Sequence, residues 1–405
     1  MEMNEEKTRQ VRLLGIGMGM SGTLTGEAKE AIRESDCVIG AKRMLGCMSL
    51  EGKAVYSAYM PEEIRDIVTS HPEYRNIAVL YSGDIGFYSG ARELYQCLNG
   101  VCDVRGIPGI SSVAYLAARL QVPWEDARLV SIHGRSQPYI HILARHRKCF
   151  LLFGGNGQEE EFCRKLKDYG LDSLKIWIGR FLSYEEESIV YRSGADIQPE
   201  DLRGLAVLYI ENSSPAALCD GQIRDEAFIR GKVPMTKEEV RAVSIAKLGI
   251  SGDSVFYDVG AGTGSVAVTV ASMYERTRVY AIERNAEGVS LIRQNQKKFC
   301  VDQLEVIEGT APEILHGLEP PTHVFIGGSS GNLEGILRCV REKNPDVRVV
   351  LNAITLETLR EVLDAEEKGL IRDAQIIQAG FARSRKLADY HMMTGQNPIY
   401  IISSR

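Results

Sequence analysis

Three glycines spaced two apart, Gly260, Gly262 and Gly264, follow Asp258 at the end of an apolar, β-branched run, Val255–Val259. Glycine at that spacing lets a loop take unusual backbone angles and lets a ligand approach the main chain with no Cβ in the way. The Ala- and Val-rich stretch through Ser272 reads as a helix, so the unit is strand, tight loop, helix. A second strand, 278–282, ends in Glu283, about twenty residues on, where a carboxylate can accept hydrogen bonds from ribose hydroxyls. These residue types suit the binding of a nucleoside. A bare βα turn that binds nothing is the bland alternative, and Glu283 weighs against it. The spacing is not the G-x-G-x-x-G of a dinucleotide site, because the third glycine comes one residue early.

The elements that must position such loops recur through the first half. Val11 to Leu14 runs into Gly15-Ile16-Gly17-Met18-Gly19, with Thr25 placed to cap the next helix. A strand-loop follows at Cys37-Val38-Ile39-Gly40, and Ile77 to Tyr81 ends in Ser82-Gly83-Asp84. The stretch 101–104 leads to Pro108-Gly109-Ile110-Ser111-Ser112, where Pro-Gly sets a turn and the serines cap a helix of small residues. Leu129 to Ile132 leads into His133-Gly134-Arg135. Strands over 150–153, 174–178 and 205–210 complete an α/β pattern, whose carboxyl edge is where ligands sit. Residues 214–233, with mixed charges, read as a linker. Thr236 to Glu239 is a T-x-x-E capping box ahead of a further helix.

At 405 residues the chain exceeds one usual domain, so two are expected. A net charge of -6 with no acidic or basic block argues against a nucleic-acid or membrane-surface partner. Residues 1–10 are charged and no apolar run approaches membrane-spanning length, so a cytoplasmic protein is expected. Nine scattered cysteines, without a C-x-x-C pair, read as reduced thiols. His141 and His146 are five apart, the wrong spacing for one helical face, and no metal site is expected.

The D-x-G-x-G-x-G loop resembles the first motif of class I S-adenosylmethionine-dependent methyltransferases. In order, the loops at 15–19, 82–84, 108–112 and 131–135 resemble the tetrapyrrole methylase family, the last marking its precorrin C5-methyltransferase branch. Met18 and Ile85 stand where that family usually has proline, and its threonine and aspartate are missing near Phe153 and Gly154. Pro234-Met235-Thr236-Lys237-Glu238-Glu239-Val240-Arg241, the Phe325-Ile326-Gly327-Gly328-Ser329 loop, residues 352–357 and Asn397-Pro398 resemble the precorrin C15-methyltransferase (decarboxylating) family. The resemblance covers nearly the whole chain. It implies an α/β protein: an N-terminal tetrapyrrole methylase fold of two α/β subdomains with a cleft over 1–213, a linker over 214–233, and a Rossmann-like class I methyltransferase over 234–405.

Further implications follow from the resemblance. The cofactor is S-adenosylmethionine, contacted in the first half by Gly15, Gly17, Gly83, Asp84, Ser111 and Ser112. In the second half the contacts are Thr236, Gly260, Ala261, Gly262, Thr263, Gly264, Glu283, Thr310 and Ala311. The substrate is a precorrin or cobalt-precorrin, methylated at C5 and C15 with loss of the C12 acetate carboxyl. Arg135, Lys237, Arg241 and Ser329 are expected to hold it, with Arg43, Arg383 and Arg385 as further candidates, since arginine and lysine partner carboxylates. His133 is the candidate proton shuttle, its ordinary pKa lying near neutrality; a purely structural histidine is the competing role. A homo-oligomer is expected. Two alternatives stay open: a chain with only its C-terminal activity alive, and a binding protein that transfers no methyl.

Overall fold

The computed structural model describes residues 9–133, 137–154, 157–216 and 222–405. Two compact units divide the chain, one of residues 1–136 with 146–213, the other of 137–145 with 214–405.

The first unit carries two five-stranded sheets. Strands β1 (Gln10–Gly15), β2 (Cys37–Gly40), β3 (Ala54–Ser57), β4 (Asn76–Tyr81) and β5 (Asp103–Ile107) pair in parallel in the order β3-β2-β4-β1-β5. The central strands are apolar at nearly every position because helices cover both faces, as a parallel sheet requires. Thr25 Oγ1 accepts from the Ala28 amide at 3.2 Å and Ser111 Oγ from Ala114 at 3.1 Å, so both expected caps form. Strands β6 (Arg128–Ser131), β7 (Lys148–Phe153), β8 (Lys175–Arg180), β9 (Ser188–Ser193) and β10 (Ala206–Glu211) make a mixed sheet in the order β6-β7-β10-β8-β9.

In the second unit a seven-stranded sheet is built from β11 (Val255–Val259), β12 (Arg278–Glu283), β13 (Leu304–Glu308), β14 (His323–Ile326), β15 (Arg348–Ala353), β16 (Gln375–Ala379) and β19 (Ile399–Ser404). Its order is β13-β12-β11-β14-β15-β19-β16, with β19 antiparallel to both neighbours. Successive β11 residues feed opposite cores: Phe256 packs with Val266, Val270 and Ile292, and Tyr257 with Val324 and Leu337. The strand order turns between β12 and β14, which puts a crevice beyond the carboxyl end of β11. Strands β17 (Ala382–Leu387) and β18 (Tyr390–Gly395) form a separate, exposed hairpin.

Three local expectations are corrected. Residues 222–233 are no free linker: Ile229 N donates to Asn295 Oδ1 (2.8 Å), Lys232 N to Glu287 Oε1 (2.8 Å) and Asp225 N to Glu238 Oε2 (3.2 Å), tying this strap to the second unit. Residues 137–145, inside the expected N-terminal domain, also belong to the second unit; Asp302 accepts from the amides of Tyr139, Ile140 and His141 and pairs with His141 Nδ1 at 2.7 Å. The T-x-x-E capping box does not form, because the helix Glu238–Leu248 starts after Lys237 and Glu239 is drawn to Arg383 at 2.6 Å. No helix among the described residues is long and apolar enough to cross a membrane. The eight described cysteines form no disulfide among themselves.

Candidate functional site: two clefts at sheet edges

The larger cleft, about 760 Å³, opens at the carboxyl ends of β11, β12 and β14 in the second unit. Gly260, Ala261 and Gly262 form one wall, Glu283 and Arg284 another, Thr310 and Ala311 a third; the strap residues Pro234, Met235, Thr236 and Lys237 face them, and Ser329 and Asn352 lie further along. Gly262 has φ +60°, and a Cβ there would lie 2.6 Å from the Pro234 carbonyl, so only glycine fits. Glu283 fixes the loop from behind: Oε2 accepts from Gly262 N and Oε1 from Asn285 N, each at 2.8 Å. Both oxygens keep a lone pair for ribose hydroxyls.

Asp258 lies beneath the loop, almost fully buried. One carboxylate oxygen accepts from Ala267 N at 2.9 Å and the other has no partner. Burial pushes its pKa up to about 7; the Ala267 amide opposes the rise and the Glu283 charge adds to it. Asp258 thus backs the glycine cradle without lining the cleft, and the open glycine loop together with the Glu283 carboxylate, set for hydroxyls, fits a nucleoside.

The first unit holds a smaller cleft of about 260 Å³, lined by Met18, Gly83, Phe87, Phe153 and Tyr184 together with the polar residues Arg43, Asp84, Ser111, Ser112 and His133. Asp84 is committed to the backbone, Oδ1 accepting from Gly86 N (2.8 Å) and Oδ2 from Gly109 N (3.0 Å). Arg43 donates to the Tyr184 hydroxyl at 2.6 Å.

The expected contacts separate into three groups. Thr236, Lys237, Gly260, Ala261, Gly262, Glu283, Thr310, Ala311 and Ser329 come together in the second cleft, and Gly83, Asp84, Ser111, Ser112 and His133 in the first. Five expected contacts do not line a cleft. Thr263 is fully buried, and a Cβ on Gly264 would point at Ile292 in the core. Gly15 and Gly17 pack behind the first cleft, where a Cβ would meet Gly109 and Thr23. Arg241 is 1% exposed, its guanidinium spent on Asp225, Thr236 O and Ile223 O, so it cannot reach a substrate. Arg135 lies outside the described residues. Arg383 is paired with Glu238 and Glu239. Arg284, Asn352 and Tyr184 are lining residues that the sequence reading missed. Position immediately after Glu283 was the one available signal, and it pointed only to Arg284.

A nucleoside cradle of this spacing, on a seven-stranded sheet with one antiparallel strand, defines a class I methyltransferase. Residues 226–404 match the precorrin methyltransferase domain, and residues 10–197 the tetrapyrrole (corrin/porphyrin) methylases. The probable cobalt-precorrin-6B C(15)-methyltransferase (decarboxylating) of Pyrobaculum calidifontis is 39% identical over 186 residues, 45% of this chain and 94% of that protein. The precorrin-6Y C(5,15)-methyltransferase [decarboxylating] of a Sinorhizobium species is 27% identical over 397 residues, 95% of this chain and 93% of that one. The crystal structure of precorrin-6y C5,15-methyltransferase from Geobacter metallireducens GS-15 is 36% identical, covers 46% of this chain and 97% of its own, and has a TM-score of 0.44. The chain belongs to the precorrin methyltransferase family, with a tetrapyrrole methylase domain in front, and is an S-adenosylmethionine-dependent C-methyltransferase.

Proposed function

We propose that the protein methylates a precorrin twice, at C5 in the first cleft and at C15 in the second, and removes the C12 acetate carboxyl as carbon dioxide, in the making of cobalamin. The observation that carries this reading is one chain with two separate clefts, each at the carboxyl edge of its own sheet, matched along 95% of its length by a bifunctional relative. We assign residues 1–213 to the C5 reaction and 234–405 to the C15 reaction, with 137–145 and the 222–233 strap as parts of the second body.

S-adenosylmethionine, when bound, supplies a methyl group on a sulfonium for attack by an electron-rich meso carbon of the reduced macrocycle. The protein's own share is placement, because aligned reactants need no strong nucleophile from the enzyme. In the second cleft Glu283 holds ribose, the backbone of Thr310 and Ala311 borders the base, and the Gly260–Gly262 amides with Thr236 border the amino-acid end. Lys237 and Ser329 face the macrocycle, Lys237 pairing with a rim carboxylate. In the first cleft Arg43 takes a rim carboxylate and His133, exposed at the wall, moves the proton released on methylation. Decarboxylation breaks the bond between the acetate methylene and its carboxyl; the electron pair enters the conjugated ring, and a proton from solvent completes the methyl group. No side chain need act as base in that step.

A homo-oligomer and a cytoplasmic location complete the proposal. The β17–β18 hairpin exposes Leu387, Tyr390, Met392 and Met393, an apolar surface suited to a second copy. Mass spectrometry of the product from precorrin-6B, metal-free or cobalt-loaded, with S-adenosylmethionine tests the reading. Gain of two methyls with loss of one carbon dioxide is expected. Gain of one methyl with that loss would leave only the second cleft active, and no change would sink the catalytic reading.

A further inference from the structure

We propose that Arg241 is a positioning residue of the second cleft: it locks the 222–237 strap so that Pro234 and Thr236 close over the glycine loop. The proposal rests on reading that cleft as the cofactor site. Arg241 does not itself line the cleft, yet it is one of the largest fully buried side chains of the protein. Its Nη1 donates to the Thr236 carbonyl at 2.8 Å and to Asp225 Oδ1 at 3.2 Å, its Nη2 donates to the Ile223 carbonyl, and its guanidinium carbon lies 4.9 Å from the centre of the Phe228 ring. A guanidinium presents five donors in a fixed fork. One side chain on the helix Glu238–Leu248 therefore holds both ends of the strap, residues 223–228 and residue 236.

The strap is coupled to the cradle as well as to Arg241. Asn295 accepts from Ile229 N and donates to Ile229 O (3.0 Å) and Thr263 O (3.1 Å), joining strap and glycine loop through one amide. Ser265, at the start of the next helix, donates to Thr236 O at 3.5 Å. Pro234 O sits where any side chain on Gly262 would go. Thr236, whose carbonyl Arg241 fixes, lines the cleft two residues on from Pro234, whose carbonyl abuts Gly262. A hydrophobic residue of equal volume would fill the core without fixing Thr236. A buried ion pair of this kind stabilises little by itself, but its geometry specifies where the chain returns.

If Arg241 sets the fraction of molecules with the strap closed, loosening it weakens cofactor binding in proportion to that fraction. Arg241→Lys keeps the charge and loses the fork. In the full chain we expect faster hydrogen exchange at amides 225–237, unchanged exchange in β11 to β15, and about ten-fold weaker binding of S-adenosylhomocysteine at the second cleft by titration calorimetry. The second-cleft event is the one that Gly262→Arg removes. Asp225→Asn, which keeps shape and one acceptor oxygen, should shift both readouts the same way by less, and it stands in if the lysine variant does not fold. Strap exchange like that of the unaltered chain, exchange raised evenly through the second unit, or undiminished affinity would overturn the proposal.

Discussion

The two clefts occupy equivalent places, the carboxyl edge of a parallel sheet, but are made of different material. In the second unit the glycine loop is itself the wall, and the space a Cβ would fill at Gly262 is shared with Pro234 of the strap. In the first unit Gly83 reaches the cleft, but Gly15 and Gly17 lie behind the wall. A Cβ on Gly15 would fall 2.5 Å from Gly109 N and 2.8 Å from Gly83 O, so its hydrogen lets three loops pack backbone to backbone. The lining is left to side chains such as Met18, Phe153 and Tyr184. Glycines after a strand therefore carry two meanings, and only the direction of the missing Cβ separates them.

Substitutions at the two glycines sharpen that contrast. Gly262→Arg places a side chain in the left-handed region, at about 1–2 kcal/mol for the backbone alone, and fills the cradle. Methylation at C15 and carbon dioxide release should be lost, while methylation at C5 persists. Gly15→Ala should act in the opposite manner, by overpacking. We expect about 1–3 kcal/mol of lost stability confined to the first unit, read as an earlier transition in a melting curve. Loss of C5 methylation by Gly15→Ala with unaltered melting would break the comparison.

Asp258 and Asp84 form a second contrast, an acid left half-satisfied against one fully hydrogen-bonded to backbone. Asp258 has its pKa raised to about 7 in the folded protein, against an ordinary value of 3.8. Its contribution is fully present below the unfolded pKa and is lost as pH rises toward about 7, because the unfolded chain gives up the proton first. The loss is at most about 4 kcal/mol. Asp258→Asn removes that slope, so its stability relative to the unaltered chain should rise between pH 4 and 7 and level off above. Parallel stability curves would show that the buried carboxyl is not neutral in the folded state.

Much of the second cleft was legible because its signals are local: an apolar strand, glycines at fixed spacing, and an acid at the end of the next strand. Arg241 was misread because a cation on a helix looks like a solvated or substrate-facing charge. Nothing in the sequence says that residues 223–228 fold back to bury it. The same holds for residues 137–145, whose place in the second unit depends on Asp302, some 160 residues away. Strands β3 and β9 sit at sheet edges, and the β17–β18 hairpin is exposed along nearly its whole length, so none of these carries the buried apolar run that marked the others. Sequence patterns reported elements with one buried face and were silent about contacts between distant segments.

The smallest expected effect is the test of side chains as the working wall of the first cleft. Arg43 is the only lysine or arginine among the described residues lining it, and its partner is the neutral Tyr184 hydroxyl rather than an acid. A guanidinium so placed can exchange a neutral acceptor for a carboxylate, which makes the stronger hydrogen bond. Arg43→Ala should raise KM for the precorrin in C5 methylation about ten-fold, the scale of one charge-assisted contact, and leave kcat and the C15 reaction unchanged. Arg43→Lys should fall between, since lysine offers a point charge without the planar fork. Tyr184→Phe separates the two roles of the pair: a KM within about two-fold of the original is expected if the substrate displaces the hydroxyl from Arg43. An equal rise in Tyr184→Phe and Arg43→Ala would instead mean that the hydroxyl holds the guanidinium in place for the substrate, and an unchanged KM in both would remove Arg43 from the wall altogether.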